Sequence, residues 1–339
     1  VSAIPDKPRA SLYFIHPFMD FLLIGGLSMF YFLAIKYFHT GERAYWVYTG
    51  GALLSWVVNW PHFSATSYRL YGSRENIRQY PVTALVVPFV VFGMVVLALA
   101  SPDQVGPWFV KLFLIWSPYH FSGQTLGLSL LYARRAGITF PPAARFALST
   151  FIYGTYLSQT LRGEVGLNGF PYYTLQVPMF GVPMWLYEFS LNLMYLAAAV
   201  TFIYYAVWSV KNKKVFPWIV ALPGITQYVW FVQGGSIPAY NEFVPLFHSL
   251  QYMMIAWSMR VFESSQKTPG VSPIVESAKW IGAWLSGIPI STTTGIFIAG
   301  VQIHHFFVDG VIWKLRRSTI LSPLMMSWGD LKSGKGAVA

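Results

Sequence analysis

Two pentapeptides in this chain carry the same pair of ionisable residues. They are His16-Pro-Phe-Met-Asp20 near the start and His305-Phe-Phe-Val-Asp309 near the end. Residues four apart share a face of a helix, so each histidine would stand beside its aspartate. His120 and Gln124 have the same spacing, and His248 and Gln251 are three apart. Imidazole is the commonest side chain to ligate a transition metal. A neighbouring carboxylate either coordinates beside it or orients it. Metal binding is the chemistry these residues suggest.

Where the histidines fall sharpens that reading. Of the seven in the chain, only His39 lies away from an apolar run. Burying an ionisable group in an apolar helix is costly, so such groups are paired or functional. One histidine in a membrane helix often does no more than bond its neighbour. Several at a single depth need a shared explanation. The expected metal ligands are His16, His62, His120, His305 and Asp309. Asp20, His304, Gln124 and His248 are expected to orient these ligands or to stand in for one of them. His248 is expected toward the opposite face, and His304 diverges from His305 by about 100° around the helix. Trp56, Trp60, Trp116 and Trp257 lie near the histidines and would wall an apolar channel.

The elements that must hold such a site follow from composition. The 339 residues are 55% hydrophobic and only 10% charged, where soluble domains carry about a quarter charged residues. Apolar runs of about 20 residues, enough to cross a bilayer, recur along the chain. They are Met19–Phe38, Tyr45–Phe63, Pro81–Ala100, Trp108–Tyr132, Phe146–Leu161, Pro183–Trp208, Phe216–Gln233 and Phe243–Phe262. A last block, Ile274–Trp313, is long enough for two spans with a break at Gly287–Thr294. The sequence predicts an all-α, polytopic integral membrane helical bundle of roughly eight to ten transmembrane helices. Residues 1–339 then form a single membrane domain, with a short cytoplasmic N-terminal segment, 1–15, and a cytoplasmic C-terminal tail, 318–339. Pro88, Pro118 and Pro245 are expected to kink their helices.

Basic residues alternate between loops: Arg69, Arg74 and Arg78 in one, Arg134, Arg135 and Arg145 in another, Lys211, Lys213 and Lys214 in a third. By the positive-inside rule these loops and both termini face the cytoplasm, in a membrane expected to be the bacterial inner membrane. The net charge of +11 is thus a topology signal. No soluble basic face exists to suggest nucleic acid as a partner. The absence of cysteine excludes disulfides, thiolate metal sites and iron–sulfur clusters. The stretch between Arg162 and Gly181, aromatic and almost uncharged, is expected to lie over the bundle or to meet a partner rather than to be disordered.

A polytopic bundle with intramembrane histidines and carboxylates resembles the membrane-bound iron oxygenases. These include the desaturase and hydroxylase group and the bacterial carotene-cleaving enzymes. The desaturase histidine boxes H-x(3–4)-H and H-x-x-H-H are missing here, so the resemblance assigns no residue a role. The function expected is a His/Asp metal-dependent oxidoreductase, with iron favoured, acting on an apolar lipid-like substrate within the bilayer. Two alternatives remain. One is a subunit that meets partner membrane subunits in a larger energy-converting complex and is either non-catalytic or binds haem or (bacterio)chlorophyll. The other is a transporter, suggested by the break at Gly287–Thr294.

Overall fold

The computed structural model of the chain describes residues 11–38, 41–172, 175–237, 240–267, 272–285, 295–312 and 324–332. His39, the break at Gly287–Thr294 and the basic run 314–317 lie outside the described residues. Nearly everything described is helical, so the fold is all-α apart from one short hairpin.

Helix α1 spans Pro17–Phe38 and contains a wide π turn at Leu22–Gly26. Next come α2 at Gly41–Tyr71, a short α3 at Arg74–Gln79, and α4 at Val82–Ala100. The long α5, Gly106–Arg135, is followed by α6 at Pro142–Gly163. The hairpin pairs β1, Phe170–Tyr172, with β2, Leu175–Val177, placing Phe170 opposite Val177. Helix α7 spans Met184–Asn212, and α8 spans Trp218–Tyr228 before a second π turn at Val229–Gln233. The last helices are α9, Val244–Lys267; α10, Pro273–Leu285; α11, Gly295–Ile312; and α12, Trp328–Lys332.

Three of these helices, α1, α4 and α7, are long and apolar enough to cross a membrane. Their outer faces are apolar and open: Phe89 on α4 is 76% exposed and Leu196 on α7 is 63% exposed. Water solvates contiguous surfaces of that kind poorly, whereas lipid does not penalise them. Helices α2, α5, α9 and α11 have a mixed composition. Several of their polar residues, His62, Thr66, Ser122, His248, Ser249, His305 and Asp309 among them, are buried.

Prolines mark helix starts more often than kinks. Pro245 lies in the first turn of α9, where its missing N–H has no partner to lose. Pro88 opens the α-helical part of α4 directly after a π turn. Pro118, by contrast, is inside α5, and the Ser122 hydroxyl donates to its carbonyl at 2.8 Å. Glycine sets one close approach. A Cβ at Gly25 would lie 1.9 Å from Thr226 Oγ1, so α1 can meet α8 only without one. The π turn around Gly25 also leaves the Ile24 carbonyl available, and Gln251 of α9 donates to it at 2.6 Å. The largest apolar core, with Ile24, Leu128, Ile152, Met194 and Ile219, joins α1 to α5, α6, α7 and α8. Helix α11 packs against α2, α4 and α5, and α9 packs against α2, so α2, α5, α9 and α11 surround one central volume.

Candidate metal centre

His62 sits well inside α2. Its Nδ1 lies 2.6 Å from the Ser249 hydroxyl on α9. That hydroxyl donates its proton to Asn59 Oδ1 at 2.8 Å, one turn before His62 on α2. A serine has a single proton to give, so toward His62 it accepts from Nδ1–H. The tautomer is thereby fixed, and the Nε2 lone pair is left for another atom. Nothing among the described residues takes it: His62 is fully buried and its Nε2 has no hydrogen-bond partner there.

Three more imidazoles lie in the same buried volume. His120 comes from α5, just past Pro118; His248 from the start of α9; His305 from the middle of α11. Ring centroids are 4.4 Å apart for His62 and His305, 5.2 Å for His62 and His248, and 5.0 Å for His120 and His248. His120 Nε2 and both ring nitrogens of His248 and His305 are likewise buried without a hydrogen-bond partner. Asp309, one turn beyond His305, brings its Oδ2 within 3.3 Å of His305 Nε2, 3.5 Å of His120 Nε2 and 3.9 Å of His62 Nε2. Its other oxygen lies 3.0 Å from the Thr66 hydroxyl, which is itself 2.6 Å from the Tyr252 hydroxyl. Thr66 thus holds Oδ1 away from the imidazoles and leaves Oδ2 among them.

A protein core rarely leaves so many imidazole nitrogens unpaired, since each one costs about 1–3 kcal/mol. Two sets of donor atoms lie within 4.8 Å of one another: His62, His248 and His305, and His120, His305 and Asp309. These buried groups could hold a metal ion.

Other residues singled out by spacing are engaged elsewhere. His16 is the N-cap of α1, where its Nδ1 accepts from Phe18 N at 3.3 Å. Asp20 is fully buried and accepts from Phe14 N at 2.7 Å, Ile15 N at 3.0 Å and the Tyr132 hydroxyl at 2.9 Å. The H-x-x-x-D spacing there builds a capped helix start, and the N–H groups of the turn leading into the helix occupy the carboxylate. His304 turns away from His305, as adjacent helical positions must, and meets the Tyr71 hydroxyl at 3.3 Å. The Gln124 amide serves α9 instead: it donates to the His248 carbonyl at 3.0 Å and to Gln251 Oε1 at 3.1 Å, tying α5 to α9 just past its first turn.

His248 belongs with the other three, although its position in the chain suggested the far side. Ser249, Thr66 and Tyr252 went unnoticed in the sequence. Thr66 carried a usable signal, being four residues after His62. Of the tryptophans, Trp116 borders a cavity of about 520 Å³ that reaches His120 and Asp309. Trp257 instead donates to Ser277 of α10 at 2.7 Å. The side chains of residues 56 and 60 lie outside the described set. Comparison with family models, curated proteins and solved structures finds no match for this chain.

Proposed function

We propose that the chain is a polytopic membrane protein whose α2, α5, α9 and α11 hold an iron ion, and that it is an oxidoreductase acting on an apolar, lipid-like substrate. The observation that carries this reading is the set of buried, unpartnered nitrogens of His62, His120, His248 and His305, with Asp309 Oδ2 beside the first, second and fourth of these residues. A donor set of imidazoles and one carboxylate, with no thiolate available, suits iron. Iron held there would supply the activation of dioxygen.

The chain's own groups do the rest. Ser249 and Asn59 keep His62 in the tautomer that ligates. Thr66 aims Asp309 inward. The adjoining cavity, walled by Trp116, Tyr153, Phe306 and Phe307, would exclude water and admit an apolar molecule. The substrate or partner subunits would come from the same bilayer, in an orientation with both termini cytoplasmic.

A haem or chlorophyll is the weaker reading for a geometric reason. The rings of His120 and His305 are 5.2 Å apart and the His62 and His248 rings lie as close, so neither pair leaves room for a flat macrocycle ligated from both sides. Elemental analysis and an absorption spectrum of the protein purified in detergent test the proposal. Iron without a Soret band is the expected result, together with dioxygen uptake by iron-loaded protein in bilayers made from the host's total lipid extract. A Soret band, or protein that takes up no iron when supplied with it, would overturn the proposal.

A further inference from the structure

The cavity beside the metal centre is long, and it lies mostly to one side of His120. Helix α5 presents one continuous stripe to it, from Trp116 through His120, Gly123 and Gly127 to Leu131. From His120 to Leu131 the helix rises about 16 Å at 1.5 Å per residue. Leu131 and Leu324, fully enclosed by their neighbours, end the cavity there, with Ile255 beside them. Among the described residues, no charged side chain lines that end.

At the other end the walls are open. Tyr119 and Phe307 are exposed at the rim, and so are Gly123 and Gly310. Helix packing does not demand glycine at those two positions. A Cβ at Gly310 would meet nothing within 4 Å, and one at Gly123 would meet only the Tyr153 hydroxyl at 3.5 Å. Their missing side chains keep a groove open between α5 and α11.

We propose that this cavity measures an extended, unbranched apolar chain that enters sideways from the hydrocarbon layer. The chain passes between Tyr119 and Phe307, lies along Gly123 and Gly127, and stops with its tip against Leu131 and Leu324. Its length beyond His120 then decides which carbon stands beside the histidines, so Leu131 and Leu324 are specificity-determining residues. The proposal rests on the metal-centre reading for what happens at His120, but the binding itself does not require a metal.

The test uses the full chain in nanodiscs and a graded series of straight-chain hydrocarbons bearing a diazirine on the terminal carbon. After photolysis, labelled peptides are mapped by mass spectrometry and metal content is measured on the same samples. Labelling of Leu131, Ile255 and Leu324 should peak at one chain length. Leu131→Ala should move that optimum to a longer chain, and Gly127→Phe should abolish labelling at the closed end without loss of metal. Label confined to the outward faces of α4 and α7 would overturn the proposal, as would an optimum that Leu131→Ala leaves in place. Full metal content without closed-end labelling sinks the measured cavity and spares the metal centre. Closed-end labelling in protein that takes up no iron when supplied with it supports the cavity and counts against the proposed centre.

Discussion

At the scale of single residues, burial does more than spacing to identify a ligand. His16 with Asp20 and His305 with Asp309 have the same separation, yet one pair caps a helix and the other lies among unpartnered imidazoles. The difference is local: Asp20 faces the N–H groups of a turn, whereas the backbone around Asp309 is already satisfied within α11. Sequence alone could not separate these cases, because both sit at the edge of an apolar run. It could separate His304 from His305, since neighbours on a helix diverge. Two substitutions probe this level. Ser249→Ala strands His62 Nδ1 and frees its tautomer, so metal affinity should fall about 10–100-fold in a chelator competition titration. His304→Ala removes only a contact with Tyr71 and should leave the same titration unchanged. Equal loss in both variants would contradict the arrangement described here.

At the scale of elements, the apolar runs located most helices, and the hairpin and the start of α9 were the harder parts. Helix α9 begins within the protein, behind the fully enclosed Trp230 and Tyr240. The preceding π and 3-10 turns bring the chain inward before the helix starts. His248, one turn in, therefore meets the middles of α2, α5 and α11. Hydropathy shows how long a run is but not where it starts in depth, so the run alone does not bring His248 to the level of His62 and His120, where the fold has it.

The loop between α6 and α7 does fold over the bundle. Buried Lys111 of α5 pairs with Glu164 and donates to the Pro178 carbonyl at 2.9 Å, and Glu164 also accepts from Phe180 N at 2.9 Å. Val177 of β2 is buried beside α4, α5 and α11. Glu164→Ala would leave a buried ammonium without its carboxylate, at a cost of about 3–5 kcal/mol. The expected outcome is a lower Tm and rapid proteolysis between Phe170 and Val177, while the double variant Lys111→Met/Glu164→Leu stays close to the parent. A Glu164→Ala protein as stable as the parent would show that the pair does not secure the hairpin.

At the scale of the whole molecule, one arginine gathers distant parts of the chain. Arg135, at the end of α5, donates to the carbonyls of Leu12, Tyr13, Leu324 and Met326, and Trp328 N donates to the Phe14 carbonyl. The first and last described segments therefore meet at the end of the molecule that carries the basic pair Arg134–Arg135. Helices that leave and return to the same end must be even in number if they cross a membrane, in keeping with the alternating basic loops. Reporter fusions after Arg78 and after Lys335 should both read as cytoplasmic, and a periplasmic signal at either would contradict the proposed topology.

The account's central claim, that four imidazoles from four helices share one metal ion, is tested most directly by counting that metal across ligand variants. Elemental analysis should find one ion per parent chain. It should also find one in His16→Ala and His304→Ala, and little or none in His62→Ala, His120→Ala, His248→Ala or His305→Ala. His248 and His16 are the decisive pair, since spacing favoured the second and the fold favours the first. Metal retained in His248→Ala but lost from His16→Ala would contradict the account.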